Sequence, residues 1–232
     1  QEDDEFNSTQ LGPQWHFEGP WSHYWYFCDA NNSRLRLYGP QAPEGFRNLS
    51  DLQNMLLQKL PTENFTVTAR VRFIPNPSFQ PKGEEGGFVI MGQDYAGIKL
   101  VSTKDGCVLR YVECIGAQKG KPERCVVEKP IPLKAMPKPY TQRYAVDDIP
   151  EPRLATPYIY MRAKVWSTGV GNGIKGHAQF AYSLDDKNYT PLGEPFTLME
   201  GKWIGAKTGF YCMRPGEKND APFFDVDWIR FH

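Results

Sequence analysis

Short apolar or alternating runs recur along the chain at 25–27, 34–38, 55–60 and 65–73, separated by Asn, Gly and Pro. Runs of this length bounded by turn-forming residues predict strands rather than helices. The alternation is complete in 66–73, where Val67, Ala69, Val71 and Phe73 fall on one face and Thr66, Thr68, Arg70 and Arg72 on the other. The first face is expected in a core and the second in water. Further strands are predicted at 86–91, 95–101, 107–113, 124–128, 158–165, 177–183, 207–212 and 223–231, and no stretch shows a comparable helical period. Thr103-Lys104-Asp105-Gly106 and Leu184-Asp185-Asp186-Lys187-Asn188 read as hairpin turns. The fold class expected from this spacing is all-β, a two-sheet antiparallel β-sandwich, since a wound parallel sheet would need a helix at each crossover.

Two regions break the rhythm. Residues 1–10 are polar and read as a flexible N-terminal segment, so that a single sandwich domain is expected over 11–232. Residues 130–157 carry seven prolines, at 130, 132, 137, 139, 150, 152 and 157. Proline has no N–H for a sheet ladder, so this stretch is expected to be a surface insertion between strands.

Composition narrows the functional classes. Hydrophobic residues make up 40% and aromatic ones 14%, while 27 basic residues balance 27 acidic ones. A zero formal charge gives no electrostatic case for nucleic acid, and no apolar run of about 18 residues suggests a membrane span. The first ten residues hold neither a basic start nor an apolar stretch, so this sequence carries no signal peptide. The five cysteines are too scattered for a structural zinc site. Cys114 and Cys125 could face each other across a hairpin built on 107–114 and 124–129, either as a disulfide or as two reduced core cysteines. Asn-x-Ser/Thr occurs at Asn7, Asn31, Asn48, Asn64 and Asn188, a pattern favouring exposed turns.

No catalytic residues are assigned. His16, His23, His177 and His232 show no metal-binding spacing, and the glycine-rich stretches lack a phosphate-loop lysine. Arg70 and Arg72 read as solvated strand-face residues. Asp225 and Asp227 share a strand face and point the same way, whereas a glycosidase needs carboxyl groups on opposite sides of the scissile bond. Trp21, His23, Tyr24 and Tyr26 are the candidates for carbohydrate binding or interdomain packing, because aromatic rings can cover the apolar faces of sugars. Alternation separates Tyr24 and Tyr26 from Trp25 and Phe27, so one pair is expected inside, and Trp25 is expected to pack in the core or at its edge.

Several segments together resemble the C-terminal accessory domain of glycoside hydrolase family 43 enzymes, a concanavalin A-like jelly roll. They are Leu11-Gly-Pro-Gln-Trp15, Arg34-Leu-Arg-Leu37, Leu56-Leu-Gln-Lys59, the stretch from Phe180-Ala-Tyr-Ser-Leu through Tyr189-Thr-Pro-Leu-Gly193, and Phe224-Asp-Val-Asp-Trp-Ile-Arg-Phe231. The resemblance spans most of 11–231, with 130–157 longer than the pattern. It implies a non-catalytic accessory domain that packs against a catalytic β-propeller and shapes its substrate site. The alternative it leaves is an autonomous carbohydrate-binding module for neutral plant glycans of the xylan or arabinan type. It also implies export to a periplasmic or extracellular location. No cofactor is required on this reading, although related sandwiches hold a structural Ca²⁺, for which Asp227, with Asp225, is the candidate ligand.

Overall fold

The computed structural model describes residues 3–20, 22–76, 83–136, 153–170, 173–201, 205–216 and 222–232. In chain order the strands are β1 (His16–Phe17), β2 (Tyr26–Asp29), β3 (Arg34–Tyr38), β4 (Leu56–Lys59), β5 (Phe65–Ile74), β6 (Glu85–Met91), β7 (Tyr95–Thr103) and β8 (Gly106–Cys114). They continue with β9 (Arg124–Ile131), β10 (Lys134–Ala135), β11 (Leu154–Ala155), β12 (Ile159–Thr168), β13 (Lys175–Ser183), β14 (Thr190–Leu198), β15 (Lys207–Met213) and β16 (Phe223–Phe231). Sheet one has the order β1-β4-β15-β6-β7-β8-β9, and sheet two the order β14-β13-β12-β5-β16-β3-β2. All pairings between these strands are antiparallel. The sandwich expected from the strand spacing is the architecture found.

The inner faces supply the main core. Val67, Ala69, Val71 and Phe73 of β5 are fully buried, as their alternation predicts, and meet Phe88, Ile98, Leu109, Tyr111 and Phe210 of sheet one. The central strands of sheet one, β6, β7 and β15, are buried on both faces: every residue of β6 is buried, including Glu85. A second apolar cluster explains this. Leu49, Leu52 and Met55, from the connection between β3 and β4, lie over Leu57, Val89, Met91, Tyr95, Tyr211 and Met213 on the sheet's outer face.

Three expectations are corrected. Residues 3–6 of the N-terminal segment are docked rather than loose: Asp4 and Ile229 exchange both backbone hydrogen bonds at 2.9 Å. Asp4 also accepts a bond from Trp15 Nε1 at 2.8 Å, and Glu5 takes both Arg230 donors at 2.7 and 3.0 Å. Phe6, at a left-handed φ of 47°, turns its ring into the core at 3% exposure. The strand β14 was not anticipated because Pro191, Gly193 and Pro195 interrupt its pattern; it lies at the edge of sheet two, where a missing N–H costs no ladder bond. Likewise β9 runs through Pro130 at the edge of sheet one that faces β14, so the insertion begins later than its first proline. The strands β10 and β11 then pair on the outer side of sheet two, where Ile74, Met136 and Ala155 form a small core of their own. Residues 137–152 of the insertion lie outside the described residues.

The β8–β9 hairpin forms, but Cys114 and Cys125 are not a pair. A register shift after Tyr111 sets Cys125 opposite Val112, and the two thiols donate instead to the Lys121 and Val127 carbonyls. Cys114 is buried and Cys125 exposed, so neither a disulfide nor two core cysteines describes them. Burial raises the thiols of Cys28 to about 11 and Cys107 to about 12, which keeps both as inert packing groups at neutral pH. Of the five Asn-x-Ser/Thr asparagines, Asn7, Asn31, Asn64 and Asn188 are exposed and Asn48 is buried.

Candidate functional site

Of the aromatic candidates, His23, Tyr24 and Tyr26 lie at one flank of the sandwich, where edge strands β1 and β2 of the two sheets come side by side. The ladder of β2 begins only at Tyr26, so Tyr24 and Trp25 precede it in a turn closed by Trp25 N donating to the Ser22 carbonyl at 3.0 Å. The expected alternation across 24–27 therefore fails. Tyr26 pairs with Leu37 and packs inward, whereas Phe27 is 44% and Tyr24 76% exposed. Trp25 is half-buried at the edge, its ring 5.3 Å from Phe17 in an edge-on contact. His23 and Tyr24 stand together in solvent with centroids 4.1 Å apart. Trp21 lies outside the described residues.

Beside this pair runs a groove of about 540 Å³, lined by Leu11, Pro13, Trp15, His16, Phe17 and Tyr26 among others. Trp15 and Phe17 are not among the candidates the sequence offers. The signal available was the shared aromatic density of 15–17 and 21–27. Burial and the nearby Lys207 ammonium hold His16 below its ordinary 6.5, so it is neutral at physiological pH.

The outer face of sheet two is the other polar surface. Asp225 is fully buried and clamped by Arg36, whose Nε and Nη2 donate to its two oxygens at 2.7 and 2.9 Å. Arg34 and Arg72 each stand 3.4 Å from the same carboxylate. Asp227 sits at a register shift between Val226 and Trp228, which turns it to the same outer side, where Arg70 holds it at 2.5 Å. Burial raises the Asp227 pKa against the opposing pull of Arg70 and Arg72. Arg70 and Arg72 are thus not solvated face residues: both stack on Tyr158, at 3.7 and 4.8 Å. The signal was present as pairs two residues apart, Arg34/Arg36, Arg70/Arg72 and Asp225/Asp227, on three strands that prove adjacent.

This arrangement bears on the chemistry expected of the acids. Arg36 occupies both Asp225 oxygens, and four guanidinium groups already neutralise the two carboxylates, so the calcium reading draws no support from these side chains. Among the described residues, no three His, Cys, Asp or Glu side chains come together as a metal site would require.

The family model of the β-xylosidase C-terminal concanavalin A-like domain of glycoside hydrolase family 43 matches residues 3–232. The chain belongs to this family. The match includes the docked residues 3–6, which agrees with this part of the N-terminal segment belonging to the fold. A β-xylosidase of Formosa agariphila is 39% identical over 54 residues, 23% of this chain and 9% of that protein. Among solved structures, the GH43 protein BlXynB of Bacillus licheniformis superposes with a TM-score of 0.66 at 16% identity, over 99% of this chain and 38% of that one. The xylan β-1,4-xylosidase of Bacillus halodurans gives 0.65 at 17%, over 100% and 39%. A glycosyl hydrolase family protein of Mycobacterium fortuitum gives 0.53 at 12%, over 99% and 98%. At these identities the structures show a shared fold. The chain spans about two fifths of the two bacillary relatives.

Proposed function

We propose that this sandwich is the accessory domain of a larger, exported glycan-degrading hydrolase, where it packs against a catalytic β-propeller and shapes the rim of its substrate site. The observation that carries this reading is the family match over 3–232, in a chain covering only 38–39% of family 43 relatives. The aromatic flank supplies a surface suited to packing: exposed Tyr24 and His23 beside the groove of Trp15, Phe17 and Tyr26 combine aromatic contact area with polar tips, the composition of interface anchors.

The test is reconstitution. The sandwich, the adjoining propeller and the joined pair are purified and assayed on an aryl β-xyloside and an aryl α-arabinofuranoside. Activity is expected only where the propeller is present, with a higher kcat/KM or thermal midpoint for the joined pair. Hydrolysis by the sandwich alone overturns the accessory reading, and indifference of the propeller to the sandwich overturns the packing role.

A further inference from the structure

A second concave site lies on the opposite side of sheet one from the main core. Its floor is apolar, formed by Leu49, Leu52, Met55, Leu57 and Met91, all buried. Its volume of about 390 Å³ falls within the range of small-molecule sites, roughly 300–1,000 Å³. Two ion pairs stand on its rim, Arg47 with Asp51 at 2.6 Å and Lys207 with Glu18, and the exposed Gln118 completes it.

Both walls are held by groups that an incidental surface hollow does not require. The 47–52 wall is anchored by Asn48, 2% exposed, whose Nδ2 donates to the Ala117 and Lys121 carbonyls at 2.9 and 2.8 Å. The Leu49 N–H donates to the Tyr95 hydroxyl at 3.2 Å, and that hydroxyl donates to Glu123 at 3.0 Å. Glu123 is paired in turn with the buried Lys99 at 2.5 Å, and Lys99 with Glu85 at 3.0 Å. The facing wall rests on Gly92. A Cβ there would stand 1.7 Å from the Met199 carbonyl oxygen, so only glycine lets the segment leading to Gly201 seat this closely. Gln93 N then donates to the Glu200 carbonyl at 3.0 Å. Walls fixed by a satisfied buried network describe a preformed site.

We propose that this pocket is a binding subsite for one ring of a neutral sugar. Among the described residues each rim cation has its own carboxylate, so the described rim carries no net charge, and a charged ligand would have to break one of these pairs to be bound. The carboxylates of Glu18 and Asp51 accept from hydroxyls, while Arg47, Lys207 and Gln118 donate to hydroxyl and ring oxygens. A sugar hydroxyl does both, and its C–H face matches the floor. A purely aliphatic occupant would leave the rim's polar groups facing hydrocarbon. The subsite belongs to this chain alone and does not depend on a propeller being joined to it.

The isolated chain, ¹⁵N-labelled, is titrated with xylose, arabinose and xylobiose. At least one is expected to shift amides of residues 47–52, 91–93 and 118 in a saturable manner. The variants Gln118→Ala and Asp51→Asn are each expected to weaken binding about tenfold or more, as for loss of a hydrogen bond to a ligand, at an unchanged thermal midpoint. Tyr24→Ala should leave the titration as it is. Absence of saturable shifts with all three sugars overturns the proposal, as do shifts that map to His23 and Tyr24 or that survive both pocket variants. Because no propeller is present, a failure at this pocket leaves the accessory-domain reading standing.

Discussion

The outer faces of the two sheets start from the same instruction and end differently. Both belong to antiparallel strands whose other face is committed to the shared core. On sheet two, alternation holds: β5 buries Val67, Ala69, Val71 and Phe73 and presents Arg70 and Arg72. Those charges then partner one another across adjacent strands around Asp225. At the centre of sheet one, alternation gives way to strands buried on both faces, because residues 49–55 fold over the outer side and bury Val89, Met91 and Tyr211 beneath them. A polar face can thus be completed by cross-strand charge pairing, which is assembled within the sheet, or by a roof of chain, which must be anchored to the sheet. The first concentrates its energetic risk in one carboxylate; the second spreads it over loop anchors.

The sharpest test of the charge-paired face is Asp225→Ala. It leaves Arg34, Arg36 and Arg72 crowded at low exposure with their shared counter-ion removed, and breaking a buried pair from one side costs about 3–5 kcal/mol. Chemical denaturation should show a loss of that size. A loss under about 1 kcal/mol would mean that the arginines reach water and that this face is an ordinary solvated surface. The roof of sheet one is expected to give less at any single position. Asn48→Ala removes two bonds to the Ala117 and Lys121 carbonyls and the cap on Ser50 N, for about 2 kcal/mol. Hydrogen exchange in that variant should quicken at 47–52 while β5 and β16 keep their protection; uniform acceleration would show that roof and sandwich unfold as one unit.

These contrasts mark how far the sequence could be read. The twelve longer strands it predicts are present, most with ends within two residues, because alternation and Gly/Pro punctuation are local signals. The strand β14 escaped because its prolines are tolerated only at a sheet edge, and edge position is a tertiary fact. The N-terminal segment escaped for a related reason: Asp3, Asp4 and Glu5 look solvated until β16, more than 200 residues later, supplies the partners. At the candidate site, aromatic density pointed to residues that the fold gathers where β1 and β2 meet. Which rings point in was not legible, since it depends on where a ladder begins: Tyr26 opens β2 and packs inward, and Tyr24 precedes it in the turn. The pairs of charges two residues apart on 34–36, 70–72 and 225–227 were legible individually, but their adjacency required the strand order.

Acid separates the two sheets by sign. His16, on β1 of sheet one, is held below 6.5 when folded, chiefly by burial and then by Lys207. The folded state then binds fewer protons than the unfolded one, so the contribution is complete above pH 6.5 and is lost as pH falls from 6.5 through the lower folded value. Asp227, on sheet two, is raised above 3.8 by burial. Its folded form binds more protons, so this group adds stability as pH falls from its folded value toward 3.8. Thermal midpoints of His16→Gln and Asp227→Asn across pH 3.5–7.5 should therefore depart from the parent in opposite directions. A shared direction would place the acid response elsewhere in the fold.

Tyr24 belongs to neither sheet, and the smallest stability effect is expected there. At 76% exposure, with the exposed His23 ring its aromatic neighbour among the described residues, the side chain contributes little to the folded state, and Tyr24→Ala should change stability by no more than about 0.5 kcal/mol. Its consequence should appear in association instead. If the flank is the face that meets a propeller, the variant loses affinity for the separately produced propeller while its denaturation curve overlays the parent's. A destabilisation above about 1 kcal/mol would show that the ring packs in solution and that the exposed turn is part of the fold. Unchanged stability with unchanged affinity would remove Tyr24 from the interface and leave the groove of Trp15, Phe17 and Tyr26 to carry the contact without it.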